Sequence, residues 1–315
     1  MTNSIDVSII TISYNNFHLL NDCLNSIIKY TEGINYEIIV IDNNSAEGDV
    51  SQVVSGYENV ILIKNKSNNG FASANNQGIE RAKGKYLLIL NNDTIFIENT
   101  IKKVYDYAES LTGKVFIGCK LLNKDGSHQD SVSDFDSIGN YIGEKFFLYK
   151  AFTKSKIFNR YYQNYIDYTN PVDVDTIKGA FMFCDGKSVR ELKGFDERFY
   201  FYGEEVDLCT RFKAQNGRIL YYPLSSIIHL GGATVNKTRW FDLKNQVIAR
   251  IQILQKHYKG INFISMIFLH YLGIFLRIWV YFFEGIITLN KNQIVKAYFY
   301  AKQLFIYPLN RFSEK

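Results

Sequence analysis

The sequence predicts an α/β protein, with a mainly parallel sheet covered by helices and a helical tail. Two observations carry this. Short apolar, β-branched runs alternate with helix-periodic segments through the first half of the chain, and such alternation implies parallel strands buried on both faces. No internal repeat occurs. Beyond residue 235 the composition turns basic and greasy. Residues 236–315 hold 12 Lys/Arg against 3 Asp/Glu, leaving 24 against 28 for residues 1–235. The body is thus acidic, and the tail carries charge that suits an anionic partner.

Each element follows from its local pattern. "VSIITIS" (7–13) reads as a buried strand, and "FHLLNDCLNSIIKY" (17–30) sets Phe17, Leu20, Leu24, Ile27 and Ile28 on one helical face. "YEIIVIDNNS" (36–45) is a second strand with a polar end, and "NVILIKN" (59–65) a third, preceded by a short helix. "FASANNQGIERAKG" (71–84) reads as a helix closed by Gly84. Then come a strand at 85–93, a helix at 98–110 and a strand at 114–122. Residues 123–170, rich in Tyr, Phe, Asp and Ser, read as an irregular insertion with mobile parts. Strand character resumes over 172–185, a helix over 204–217 stops at Gly217, and 218–232 is extended.

Three strands end in polar clusters: Ser13-Tyr14-Asn15-Asn16, Asp42-Asn43-Asn44-Ser45 and Asn91-Asn92-Asp93. Asn and Asp suit turns. Three such ends on one sheet edge, however, form a polar floor where open α/β sheets bind ligands. Neither GxGxxG nor GxxxxGK[ST] occurs, which argues against dinucleotide and P-loop chemistry. Cys23, Cys119, Cys184 and Cys209 are widely spaced, so a thiolate zinc site is not expected. With no basic segment ahead of the first strand, the chain reads as lacking a signal peptide, in a reducing cytoplasm.

The segments "SIITISYNN", "YEIIVIDNNSAEGD", "NNGFASANNQGIERAKGKYLLILNNDT" and "KGFDERFYFYGEEVDLCTRFKAQNGRILYYPLSSIIHLGG" together resemble the family 2 glycosyltransferases, in particular their bacterial rhamnosyltransferase-like branch. The resemblance spans residues 5–232. It implies a GT-A fold and inverting transfer from a nucleotide-sugar donor, usually with Mg2+ or Mn2+. It implies that Ser13, Tyr14, Asp42 and Asn43 hold the nucleotide, that Asn69, Gly70 and Asn76 line the nucleotide and sugar side, and that Asn92 belongs to the same floor. Asn91-Asn92-Asp93 falls where the family has Asp-x-Asp, which makes Asp93 the main metal ligand. Asn91 offers only an amide oxygen. His229 falls where related enzymes place a metal or diphosphate ligand, although an isolated His at a strand end also serves structure. With one acid, metal affinity without nucleotide is expected to be weak.

"YGEEVDLCTR" (202–211) brings Glu204, Glu205 and Asp207 to a helix start. Acids there complement the helix dipole, but the resemblance implies more. The second acid of the pair, here Glu205 and one methylene longer than the family's Asp, corresponds to the general base, with Asp207 as runner-up. The expected acceptor is a glycan or lipid-linked glycan of a cell-surface polysaccharide. Two other readings compete. A sugar nucleotidylyltransferase would show a Gly- and Arg-rich loop after the first strand, where "TISYNN" stands. A catalytically silent glycan- or nucleotide-binding protein would account for Asn91.

In the tail, residues 261–289 are long and apolar enough for a bilayer, yet His270, Arg277, Glu284 and Lys291 recur every seven residues. On a helix these share one side, drifting roughly 20° per heptad. A polar stripe of this kind suits the membrane interface, packing on a body, or a homodimer. Basic flanks favour a peripheral site on the inner face of the cell membrane. No nucleic-acid partner is expected. The domain division expected is 1–235 for catalysis and 236–315 for the tail.

Overall fold

Four parallel strands begin the sheet. The computed structural model describes residues 4–159, 169–231 and 239–306; Gly232, residues 160–168 of the 123–170 stretch and the ends of the tail lie outside these. The chain runs β1 (Val7–Ser13), α1 (Phe17–Tyr30), β2 (Tyr36–Asp42), α2 (Ser51–Val54), β3 (Val60–Lys64), α3 (Phe71–Arg81) and β4 (Tyr86–Asn91). β5 (Thr94–Phe96), α4 (Thr100–Ser110), β6 (Val115–Leu122), β7 (His128–Gln129) and β8 (Val132–Ser133) follow. After α5 (Ile138–Lys145) and α6 (Leu148–Ala151) come β9 (Val172–Asp173), β10 (Thr176–Ile177), β11 (Phe181–Asp185) and α7 (Gly186–Glu191). α8 (Glu204–Ala214), β12 (Arg218–His229), α9 (Arg239–His257), α10 (Gly260–Ile287) and α11 (Lys291–Gln303) complete it.

The main sheet has the order β3-β2-β1-β4-β11-β6-β12-β5. β3, β2, β1 and β4 are parallel to one another, and β12 is parallel to β6. β11 runs antiparallel between β4 and β6. The sheet is therefore mixed, with its first half parallel. Its interior is aliphatic and aromatic: Ile9, Ile38, Val40, Leu88, Phe181 and Phe183 are fully or almost fully buried. All four cysteines are buried and unbonded.

Two expectations need correction. α3 ends at Arg81 with Ala82 already extended, so Gly84 is not the helix stop. A Cβ at Gly84 would lie 2.5 Å from the Ser8 backbone nitrogen, and Gly84 N–H donates to Ser8 Oγ at 2.8 Å. The glycine is there for close approach to β1. Nor is the 123–170 stretch simply irregular. It contains β7, β8, α5 and α6, and α5 begins in a reciprocal cap between Ser137 and Asn140.

Contacts divide the chain into two units. The first comprises residues 1–133, 167–200 and 204–236; the second comprises 134–166, 201–203 and 237–315. In the second, Tyr141 of α5 packs with Leu254 of α9 and Met266 of α10. Of the heptad-spaced polar residues, His270 and Arg277 face inward, Glu284 is half-buried, and Lys291 falls outside α10, exposed at the start of α11. His270 and Arg277 are buried, and Arg277 donates to the Glu144 carbonyl at 2.6 Å. Arg250 pairs with Glu144 at 2.6 Å and with Asp136 at 2.9 Å. Lys145 lies across Gly273, where a Cβ would be 2.6 Å from its Cδ. The apolar side of α10 is consequently exposed, including Phe268, Phe275, Trp279, Phe283 and Ile286.

Gly78 offers a test of packing against propensity. It sits inside α3, where alanine would be better by about 1 kcal/mol. A Cβ there would lie 2.4 Å from Ile10 Cγ2 and 3.1 Å from Ile41 Cδ1. Overpacking a stiff β-branched neighbour costs about 1–3 kcal/mol, so packing wins. Gly78→Ala should lower the urea midpoint at unchanged m-value; a raised midpoint would show that the helix–sheet contact yields easily.

Candidate active site

The strand register assembles the polar floor. Ser13 pairs with Asp42 across β1 and β2, and Ile12 pairs with Asn91 across β1 and β4. The three polar strand ends are thus neighbours on one edge.

At the β2 end, Asp42 is buried and accepts from Ser45 Oγ at 2.6 Å and Ser45 N–H at 3.2 Å, an Asx turn that opens the following loop. Asn43 is held on three sides. Its N–H donates to the Ser13 carbonyl, its Nδ2 donates to Asn68 Oδ1 and the Gly70 carbonyl, and its Oδ1 accepts from Asn65 Nδ2 at 2.8 Å. Ser13 Oγ is buried with no hydrogen-bond partner among the described residues. Tyr14 is half-buried at the mouth of β1. Asn69 is exposed and accepts from Ser67 Oγ. Gly70 has φ +90, and a Cβ there would meet the Tyr200 carbonyl at 2.8 Å. Only glycine lets this loop pass so close to Tyr200. Asn76 faces the same segment from α3: its Oδ1 accepts from Phe195 N–H, and its Nδ2 donates to the Phe195 carbonyl and Glu197.

Asn91-Asn92-Asp93 is a turn whose side chains are held by residues from other strands. Residues 92 and 93 form the turn between β4 and β5. Asn92 Nδ2 donates to Asn16 Oδ1 at 2.8 Å, linking the ends of β1 and β4. Antiparallel pairing of β5 with β12 sets His229 opposite Thr94. This brings His229 Nε2 within 3.2 Å of Asp93 Oδ1 and 3.4 Å of Asn91 Nδ2. Asp93 is buried with the imidazole as its charged or polar neighbour.

The donor set fits a divalent cation shared with a ligand. Among the described residues no group of three His, Cys, Asp or Glu side chains gathers in a metal-binding arrangement, so the protein alone supplies a carboxylate, an imidazole and an amide. In an octahedron with bonds of about 2.1 Å, neighbouring donor atoms lie about 3 Å apart. The Asp93–His229 separation matches that edge, and the open positions suit phosphate oxygens and water.

The acid cluster begins α8. Tyr202 and Gly203 precede it with φ of 71° and 89°, a left-handed entry that is costly for tyrosine and typical of functional turns. The three carboxylates differ. Asp207 is fully buried and pairs with Arg211 Nε at 2.8 Å, while Arg211 also donates to the carbonyls of Leu192 and Gly194. Asp207 therefore ties α8 to the preceding turn. Glu204 is buried, and its Oε2 has no hydrogen-bond partner among the described residues. Burial pushes the Glu204 carboxyl well above its ordinary range, and the charge of Glu205 pushes it further. Glu205 itself is half-buried. Lys178 answers it: crowding, opposed by the carboxylates of Asp130 and Glu205, pulls its ammonium below the ordinary lysine range.

One short segment links the two ends of the site. The Ala180 carbonyl accepts from Asn91 N–H at 3.3 Å, and Lys178, two residues earlier, interacts with Glu205. Sequence reasoning did not single out Lys178, Arg211 or Gln129, which accepts from His229 Nδ1 at 2.6 Å. Gln129 lies 100 positions from His229, whereas Arg211 and Asp207 form an i,i+4 pair that helical spacing could have shown.

A mixed sheet of this order, flanked by helices and carrying a polar edge beside an acid-headed helix, is the GT-A architecture of nucleotide-sugar-dependent transferases. Residues 8–185 match the model for Glycosyl transferase family 2, and the chain belongs to that family. It is 28% identical over 162 residues to the poly(ribitol-phosphate) β-N-acetylglucosaminyltransferase TarP of Staphylococcus aureus, covering 48% of this chain and 50% of TarP. It is 29% identical over 117 residues to a poly(ribitol-phosphate) β-glucosyltransferase of Bacillus spizizenii, covering 36% of this chain and 18% of that enzyme. The chain thus spans half or less of the length of these relatives. A GalNAc-T enzyme solved with UDP, GalNAc and Mn2+ shares the fold at TM-score 0.56 and 18% identity, over 82% of this chain and 49% of that one.

The state of Glu204 predicts a pH effect. Its folded pKa lies above its ordinary value of 4.5, so between the two values the folded state binds more protons than the unfolded. Stability therefore falls as pH rises through that window. Glu204→Gln removes the cost, and its Tm should exceed that of the unaltered protein at about pH 8 and converge with it near pH 4, where both states are protonated. Parallel melting curves across that range would show that Glu204 ionises freely in the fold.

Proposed function

We propose that this protein is an inverting glycosyltransferase that moves a hexosyl unit from a nucleoside-diphosphate sugar to a glycan or lipid-linked glycan acceptor. The observation that carries the reading is the polar strand edge itself, on which register sets Ser13 beside Asp42 and the β5–β12 pairing brings His229 Nε2 within 3.2 Å of Asp93 Oδ1. Family membership supports the reaction class. The poly(ribitol-phosphate) acceptors in the names of two relatives support a role in cell-surface polymer synthesis. The resemblance of four segments of residues 5–232, in the order the family has them, supports the rhamnosyltransferase-like branch. We assign catalysis to residues 1–235.

In this mechanism Ser13, Tyr14, Asp42 and Asn43 hold the nucleoside, with Asn69 and Gly70 closing over it beside Tyr200. Asp93, His229 and Asn91 would hold Mg2+ or Mn2+, which when bound supplies Lewis-acid stabilisation of the departing diphosphate. Glu205 takes the proton from the acceptor hydroxyl. The hydroxyl oxygen then bonds to the anomeric carbon as its bond to the diphosphate oxygen breaks, so the nucleoside diphosphate leaves from the opposite face and the configuration inverts. Lys178 balances the charge of Glu205 before the proton arrives. Asp207, held by Arg211, keeps α8 in place.

Release of nucleoside diphosphate from a panel of UDP- and dTDP-sugars, with and without Mn2+, tests the reading directly. Asp93→Ala should abolish transfer in a protein that still folds. Glu205→Gln should slow transfer by at least about 10²-fold, the lower range of general-base effects, with donor binding little changed. If Asp207→Asn instead produced that loss while Glu205→Gln stayed active, the base would be Asp207.

The same reading extends to location. α10 is, among the described residues, a helix long and apolar enough to cross a membrane, and its His270 and Arg277 face inward. Its exposed side presents Phe268, Phe275, Trp279 and Phe283, and Lys256, Lys259, Lys291, Lys296 and Lys302 lie near its ends or on its neighbours. Each basic residue near an anionic surface adds about 1 kcal/mol. We assign this face to the cytoplasmic surface of the cell membrane. The protein should pellet with anionic vesicles and leave them more completely with detergent than with salt. A protein that ignores vesicles and elutes as a dimer would make the face a subunit contact.

A further inference from the structure

We infer that Gln129 is a positioning residue that fixes the His229 imidazole as its Nδ1–H tautomer, leaving the Nε2 lone pair for a divalent cation shared with Asp93. The inference rests on the metal role proposed for Asp93 and His229. It follows from a chain of hydrogen bonds whose polarity can be read in one direction only.

Backbone carbonyls can only accept, and they set the chain's sense. The amide group of Asn123 lies 3.2 Å from the His128 carbonyl, so the atom facing it is the Nδ2 donor. That nitrogen also donates to Ser127 Oγ at 2.9 Å, and Ser127 Oγ in turn donates to Asp125 at 2.6 Å. Asn123 Oδ1 must then face the other way, where it accepts from Gln129 Nε2 at 2.9 Å. Gln129 Nε2 donates as well to the His229 carbonyl at 3.2 Å. Two acceptors therefore fix the Gln129 amide, and its Oε1 is what meets His229 Nδ1 at 2.6 Å. An amide oxygen accepts only, so Nδ1 carries the proton.

In the neutral ring, Nε2 then bears a lone pair. It points at the Asp93 carboxylate from 3.2 Å. Nε2 also lies 3.4 Å from Asn91 Nδ2, a donor that can hold the lone pair without metal; towards Asp93, two acceptors at 3.2 Å repel unless a cation lies between them. Holding the second imidazole nitrogen with a hydrogen-bond acceptor is the usual way in which proteins orient a histidine ligand and raise its basicity. The clamp itself is rigid. β7 pairs Gln129 with Leu121 of β6, and the turn that joins the strands is closed by hydrogen bonds from Asn123 N–H to the Ser127 carbonyl and from Gly126 N–H to the Asn123 carbonyl. Gln129 grips His229 at both its ring and its backbone carbonyl, so ring rotation and strand displacement are opposed together.

The test reads the tautomer first. In the full-length, metal-free protein with 15N-labelled histidine, NMR should report an Nδ1–H tautomer at the resonance that His229→Gln removes. An Nε2–H tautomer there would overturn the inference. Mn2+ binding, read by EPR for Mn2+ alone and with UDP or dTDP, should weaken about 10- to 100-fold in Gln129→Leu, the range for loss of such an outer partner. Gln129→Glu keeps an acceptor at Nδ1 and should stay within a few-fold of the unaltered protein. If Gln129→Leu does not fold, Asn123→Ala, which frees the Gln129 amide to turn, should shift both readouts the same way. Equal Mn2+ binding by the folded variants and the unaltered protein would overturn the inference alone. Absence of Mn2+ binding by the unaltered protein would overturn the metal reading and the inference with it.

Discussion

The pairing register of β1 with its two parallel neighbours is the constraint on which the site depends. Because Ser13 lies opposite Asp42 and Ile12 opposite Asn91, three loops leave the sheet at one height. A slip of one residue would turn every side chain to the opposite face, burying polar groups among the aliphatic residues of the core. The register is held by that core, in which Ile9, Ile38, Val40 and Leu88 are completely enclosed. The precision of the polar edge is thus a by-product of apolar packing beneath it. Cross-links above the sheet then refine it: Asn92 to Asn16, Asn43 to Asn65, Asn68 and Gly70. Asparagine suits this work because each amide both donates and accepts without adding charge to the strand edge.

The second unit applies the opposite economy. Its interior includes Glu144, Lys145, Arg250 and Arg277, and its outside is aromatic. Burial opposes the charge on Glu144, but Arg250, Lys145 and Arg277 overcome it and hold the carboxyl well below its ordinary range. Burial first, and then the two arginines, bring the Lys145 ammonium down to about 8, with Glu144 opposing. Removing Glu144 would leave Lys145 and Arg277 buried without their carboxylate, which is far costlier than the net worth of the pair. Arg250 also lies over the Tyr141 ring at 4.2 Å, so the apolar and ionic contacts share one centre.

Much of this was legible in the sequence, for identifiable reasons. Strand–helix alternation and continuous apolar runs gave the covered sheet, and the three polar strand ends gave the binding edge, because both signals are local. The family resemblance put Asp93 and His229 in one expected metal set, and the β5–β12 pairing shows how the chain brings them together. β5, three residues long, was too short to register. The cap of α5 uses Asn140 where the usual signature has Glu or Gln, so that helix was hidden within an irregular-looking stretch. Heptad spacing placed His270 and Arg277 on one side of α10 but could not say which way the side faced, since that depends on charges more than a hundred residues away. Gln129 carries no motif; its meaning lies wholly in the residues it touches.

The ion pairs of the second unit also have a consequence in time. Arg250 reaches back to Asp136 across 114 positions. At a synthesis rate of about 5–20 residues per second, Asp136 and Glu144 emerge from the ribosome roughly 6–23 s before their partner. During that interval the intervening strands β9 to β12 are made and can complete the sheet, while Asp136 and Glu144 wait for Arg250, with Lys145 the near cation for Glu144. The order of translation therefore favours a sheet that closes first and a helical unit that waits for the last quarter of the chain.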